Sequence, residues 1–188
     1  MLIGHRTIGP GNPTYIIAEL SANHNQHFDQ AVKIIHAAKT AGADAVKLQT
    51  YTPDTITMRS DRREFRIDGG TLWDGRNLYE LYGEAYTPWD WQPKLKRVAN
   101  ELGMDLFSSP FDASAVDFLE EMNVPAYKVA SFELVDVPLI QKMASTGKPL
   151  IMSTGMAEIE EIDEAMQAAR DAGETEAATR RACSHSWP

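Results

Sequence analysis

Five short apolar runs recur along this chain, and a helical stretch follows most of them; that alternation constrains the fold most. The runs are residues 15–20, 45–50, 105–109, 126–131 and 149–153. After the first, Phe28, Ala31, Val32, Ile35 and Ala38 fall on one helical face, with Asp29 as the expected N-cap and Gly42 past the C-terminus. Thr87-Pro88 announces the helix before the third run, and Asp112 and Asp136 cap the next two. The last helix spans about residues 157–172 and stops at Gly173. Strands that alternate with helices imply a parallel sheet in an α/β fold.

Two of these strands carry a lysine where burial on both faces is expected: Lys47 in AVKLQTY and Lys128 in AYKVAS. An unpaired buried ammonium is strongly unfavourable, so each needs a carboxylate or a bound anion. Two on different strands suggest one shared anion, a phosphate by preference; two separate structural ion pairs are the plainer alternative. Further polar residues gather at strand ends: Glu19, Gln49, Ser108, Ser109, Ser131, Glu133, Ser153 and Thr154. Lys47 and Gln49 share a face by the two-residue period. Functional groups at the carboxyl ends of several strands are the mark of a (β/α) barrel. No glycine-rich phosphate loop follows any strand, which removes the main support for a nucleotide-binding fold. The connection over residues 52–86 is long and rich in aromatics and arginines, and reads as an excursion over the rim that either covers the substrate or has a purely structural or subunit-contact role.

With 188 residues the chain is long enough for one domain with a real core. A net charge of −9 argues against nucleic acid or an anionic membrane as principal partner, so any anion site must be local. The single Cys183 excludes an internal disulfide framework and suits a reducing cytoplasm. No signal peptide or membrane-spanning run is expected, and a cytoplasmic location follows.

The phrases IIAELSANHNQ, GADAVKLQTYTPDT, GGTLWDGRNLYELYGEAYTPWDW, FSSPFD, AYKVASFE and PLIMSTGM carry a specific likeness. Together they resemble the N-terminal part of the sialic acid synthase family, closest to its pseudaminic acid synthase branch, from about residue 15 to 173. The resemblance implies a (β/α)8 barrel of which about five of eight units are present. It also implies condensation of phosphoenolpyruvate with an open-chain 2,4-diacetamido-2,4,6-trideoxy altrose to a nine-carbon 2-keto acid, with Mn2+ or Mg2+ as cofactor. An N-acetylneuraminate or legionaminate synthase of the same family, and a non-catalytic phosphosugar-binding fragment, remain open alternatives.

Carried over residue by residue, the resemblance makes Lys47 and Lys128 the phosphate and carboxylate clamps and Glu19 a carboxylate near the reacting centre. Glu19 is alternatively an ion-pair partner of Lys47. Gln49, Ser131 and Ser153 become neutral donors, Glu133 a sugar-contacting carboxylate, and Asn23 a substrate-binding residue on the loop after the first strand. His24 on that loop reads first as a hydrogen-bonded loop residue and second as a metal-associated one. His5, His27 and His36 read as surface residues, and Trp89 and Trp91 as staples between helix and core. The likeness stops at Gly173. Residues 1–173 form the partial barrel, and 174–188 a divergent tail with no apolar strand, expected from truncation or a frameshift. The metal-holding histidines of the family would lie beyond that point, so metal binding and turnover are expected to be lost while the phosphoenolpyruvate half-site persists. Full-length family members are expected to be homodimers.

Overall fold

A computed structural model describes residues 1–70 and 73–173 and the backbone of 178–179. The chain opens with an antiparallel hairpin, β1 (Leu2–Ile3) and β2 (Arg6–Thr7), which the sequence reading did not anticipate. Its turn needs Gly4, at φ +56°, because a Cβ there would meet a carboxylate oxygen of Asp105 at 2.5 Å. The chain then alternates between strands and helices: β3 (Ile17–Glu19), α1 (Phe28–Thr40), β4 (Ala45–Thr50), α2 (Pro53–Ile56), α3 (Leu78–Ala85), α4 (Gln92–Glu101), β5 (Asp105–Pro110), α5 (Ala113–Glu121), β6 (Tyr127–Val129), α6 (Val137–Ala144), β7 (Leu150–Met152), α7 (Ile159–Asp171) and β8 (Ala178–Thr179).

Strands β3 to β8 form one parallel sheet in which spatial order equals chain order, the arrangement of successive barrel staves. The fold is thus about half of a (β/α) barrel. The expected five strands are all present, β3, β6 and β7 shorter than expected, β4 as expected and β5 longer by one residue, and a sixth is added. A strandless tail after Gly173 was expected; instead Ala178–Thr179 pairs with Ile151 and Met152. Two residues suffice for this pairing although they carry no apolar run. Residues 180–188, including Cys183, lie outside the described residues.

Asp112 and Asp136 cap α5 and α6 through backbone amides, as their positions imply. Asp29 does not cap α1: His27 occupies that position, and Asp29 lies in the first turn, where its charge suits the helix dipole. Thr87-Pro88 likewise precedes a short 3-10 turn, Trp89–Trp91, and Trp91 is the N-terminal flank of α4. The 52–86 connection contains α2, a 3-10 turn at Arg63–Phe65 and the eight-residue α3, more helix than its sequence suggests.

Alternation across the strands sorts the sheet into two faces. Val46, Leu48 and Leu106 point into an outer layer with Ile35 of α1 and Leu95 and Ala99 of α4. Tyr127, Val129, Leu150 and Met152 do the same against α5, α6 and α7, where Val116, Leu119, Ile140 and Ala165 are buried. The register aligns Glu19 with Lys47 and Phe107, and Lys128 with Ile151, so these side chains share the opposite, inner face. There Ala45 and Phe107 cluster with Ile3 and Ile8 of the hairpin, which covers the amino end of the sheet. Apolar residues fill that end and polar ones the carboxyl end.

Among the described residues β3 has no strand on its outer side, and a free parallel edge invites pairing with another chain. The chain should therefore self-associate at micromolar concentration. Sedimentation velocity over a dilution series measures this, and a single monomer species at every concentration would contradict it.

Candidate active site at the carboxyl ends of the strands

Lys47 and Glu19 sit side by side on adjacent strands, and their Nζ–Oε2 distance is 2.8 Å. The pair is asymmetric: the Lys47 side chain is 8% exposed and that of Glu19 55%. The carboxylate thus reaches the rim while the ammonium stays within the sheet. This is the ion pair weighed as an alternative for Glu19, and it leaves Glu19 open to solvent at the site's edge.

Lys128 lies two strands further on. It makes no ion pair among the described residues; its Nζ donates to the carbonyl of Val129 at 2.6 Å and to the hydroxyl of Ser153. Burial pushes its ammonium down to about 8, and the positive charge of Lys47 pushes in the same direction, against smaller opposing effects of Glu19 and Glu133. The two lysines lie on the same inner face, two strands apart, and the charge of one disfavours that of the other. Only Lys47 has an ion-pair partner, and an added anion would relieve the imbalance at Lys128.

Neutral donors surround this spot. Ser153 continues the β6–β7 ladder, its amide donating to Val129, which places its hydroxyl at Lys128. Gln49 lies opposite Ser109 on the inner face. The Ser109 hydroxyl is buried and has no hydrogen-bond partner, which is unusual for a buried polar group. Ser109 is one of the polar strand-end residues, and it turns inward because it sits two residues after inward-facing Phe107. Its neighbour Ser108 points outward and bonds Thr50 at 2.7 Å.

Ser131 begins the 3-10 turn Phe132–Val135, which brings Glu133 back toward the sheet. Glu133 Oε2 is a second buried atom without a partner. Burial raises its carboxyl above the usual range, and so does Asp136, while Lys128 opposes. Asn23 is exposed, and its amide donates to the Leu20 carbonyl at 3.0 Å, a role in the turn rather than at the lysines.

His24 belongs to a different network. Nδ1 accepts from the Gln26 amide at 3.1 Å, so the neutral ring carries its proton on Nε2, which meets Thr87 Oγ1 at 3.1 Å. From Thr87 the chain of contacts passes through Gln92 and Thr50 to Ser108. With both nitrogens occupied and the ring edge-on to Trp91, His24 is a structural residue. Trp91 also packs on Phe28, and Trp89 stacks on Phe118 at 4.8 Å, so both tryptophans act as staples. Among the described residues no group of three or more His, Cys, Asp or Glu is arranged to hold a metal ion. Glu19 is already paired, and Glu133 sits beside a lysine, so these residues do not fit a divalent metal.

The chain is matched over residues 34–188 by the model of the NeuB family. It belongs to the NeuB family. It is 51% identical over 158 residues to the pseudaminic acid synthase of Helicobacter pylori, covering 84% of this chain and 46% of that protein. Identity to the N,N'-diacetyllegionaminic acid synthase of Legionella pneumophila is 34% over 160 residues, covering 85% of this chain and 44% of that protein. The crystal structure of a spore coat polysaccharide biosynthesis protein from Bacillus subtilis superposes with a TM-score of 0.77 at 31% identity, over 95% of this chain and 46% of that one. This NeuB family chain thus spans about half the length of the curated relatives it matches.

The site has two pH signatures. Burial lowers His24 from its ordinary value of 6.5, so its contribution is full above that value and is lost as pH falls below it. Urea midpoints should drop from pH 7 to pH 5, and His24→Asn should flatten that dependence. Lys128 is depressed too, so at pH 7 the fold holds a charge it disfavours. Lys128→Met should stabilise the chain by about 2 kcal/mol at pH 7, with the gain shrinking toward pH 10. Denaturant melts across that range measure it, and a destabilised variant would refute the imbalance.

Proposed function

We propose that this chain carries the phosphoenolpyruvate-binding part of a pseudaminic acid synthase site. The observation that bears the reading is two lysines on the inner face, only one of them ion-paired, with an unmet Ser109 hydroxyl on the strand between them. Phosphoenolpyruvate brings about three negative charges on a small frame, and charge-assisted hydrogen bonds from two ammonium groups are what such a ligand needs. Lys47 and Lys128 clamp its phosphate and carboxylate, and Gln49, Ser109, Ser131 and Ser153 supply neutral donors.

In the proposed reaction the vinyl carbon of phosphoenolpyruvate forms the new bond to the aldehyde carbon of an open-chain diacetamido-trideoxy hexose. Water adds to the cation left at the enol carbon, and the tetrahedral product expels phosphate by C–O cleavage to leave the 2-keto acid. Glu19, exposed at the rim and held by Lys47, orients or deprotonates that water. The described residues of this chain offer no group of three His, Cys, Asp or Glu to hold the family's Mn2+ or Mg2+. Among family reactions the pseudaminic branch is favoured by 51% against 34% identity to the legionaminic one.

A second reading is a non-catalytic phosphosugar-binding fragment: the match covers 46% of the Helicobacter pylori synthase, and this chain would bind the ligand without turning it over. Titration calorimetry with phosphoenolpyruvate should give stoichiometric binding, weakened about 10- to 100-fold by Lys47→Met or Lys128→Met. Absence of binding to the folded wild-type chain would overturn both readings. Phosphate release in the presence of the hexose and Mn2+ separates them: release identifies an enzyme, binding without release a binding fragment.

A further inference from the structure

The loop after β3 does more than turn the chain. Asn25 and Gln26 both sit in the left-handed region, at φ 48° and 57°, a conformation uncommon outside glycine. His24 holds them there: its side chain is fully buried, and Nδ1 accepts the Gln26 backbone N–H at 3.1 Å. So positioned, the Gln26 side chain crosses to the excursion between β4 and β5. Its Nε2 donates to the carbonyls of Glu84 at 2.9 Å and Tyr86 at 2.5 Å, both at the C-terminal end of α3.

The two ends of α3 are held by different means. Asn77 caps the first turn, and Tyr79 bonds Asp54 of α2 at 2.8 Å. The other end has the Gln26 clasp and the packing of Tyr82, whose ring meets Tyr51 edge-to-face at 5.5 Å. Tyr51 directly follows β4, the strand that brings Lys47 and Gln49 to the rim. The clasp therefore decides whether this end of the excursion stays down beside the strand ends.

Nδ1 can play its part only in the neutral ring. A proton there turns an acceptor into a donor aimed at another donor, in a place without solvent to take up either. The ionisable side chains on the elements around the ring are His27 and Asp29 at the start of α1, Glu84 and Tyr86 at the end of α3, and Asp90 beside Trp91. Among the described residues none of these bonds the imidazole; Glu84 is tied to Arg76, and Asp90 to Lys94 at 3.4 Å. No carboxylate is therefore at hand to stabilise a charged ring.

We propose that His24 and Gln26 form a proton-released strap: a proton on His24 breaks the clasp, the C-terminal end of α3 lifts, and the excursion opens away from the strand ends. Burial resists that proton, so release begins as pH falls below the ordinary imidazole value of 6.5. The end of α3 tied to α2 stays anchored and acts as the hinge.

Hydrogen exchange of the full wild-type chain at pH 7 and pH 5, resolved to single amides and corrected for intrinsic rates, reads the release. The Tyr86 amide, which bonds the Tyr82 carbonyl at 3.0 Å, should exchange about tenfold faster at pH 5, within the limit set by one proton per opening. It should accelerate more than the Leu81 amide at the anchored end or the amides of α6. No acceleration, or a uniform one, would overturn the strap. His24→Asn keeps an acceptor for the Gln26 amide, because an asparagine oxygen reaches the N–H two residues on, but it takes up no proton. Its Tyr86 rate should be the same at both pH values, while His27→Asn should behave as wild type. A pH step that persists in His24→Asn or vanishes in His27→Asn would assign the switch elsewhere and sink the inference. Gln26→Gly removes the side chain and suits the left-handed backbone, so Tyr86 should exchange fast at both pH values. A slow Tyr86 amide in that variant would overturn the clasp.

Discussion

Two ammonium groups held on one face of a sheet with a single ion-paired carboxylate set the terms for everything around them. Lys47 is tolerated inside a strand buried on both faces because Glu19 lies directly beside it in register. Lys128 lacks that support and relies on a carbonyl and a hydroxyl, so its proton is loosely held and its charge is incompletely balanced. A folded chain that keeps such an arrangement is poised for an anion. The neighbouring unmet hydroxyl of Ser109 points to the same need from a neutral group.

The rest of the fold brings these groups together. Parallel strands in chain order place one or two polar tips per stave on a common rim, while the hairpin and Phe107 fill the opposite end with apolar bulk. The excursion then returns across the rim by α3 and is fastened at Gln26 and at Thr87. Through Thr87, Gln92, Thr50 and Ser108, a run of buried hydrogen bonds connects that fastening to the outer faces of β4 and β5. Satisfied networks of this kind fix geometry more than they add stability.

Much of this was legible in the sequence, for a physical reason: charge inside an apolar strand is rare and therefore informative. Lys47, Lys128, Glu19, Ser153 and the parallel α/β pattern all followed from that and from strand–helix alternation. Ser108 and Ser109 look alike as polar strand-end residues, and only parity with Phe107 shows that Ser109 is the one that turns inward. The hairpin and the Ala178–Thr179 strand were missed because two-residue strands leave no periodicity to read. Asp29 misled because an aspartate suits the first helical turn nearly as well as the cap, and the backbone at His27 decided the start.

The division of β4 between its two neighbourhoods carries a consequence for how such a chain can vary. Leu48 sits among the helices while Lys47 and Gln49, on either side, serve the rim. Gaining or losing a single residue within this segment would exchange the two populations beyond that point at once. Grease would be presented to the ligand and a cation driven into oil. Spacing here is therefore held more tightly than side-chain identity, and length changes should be confined to the excursion and the loops.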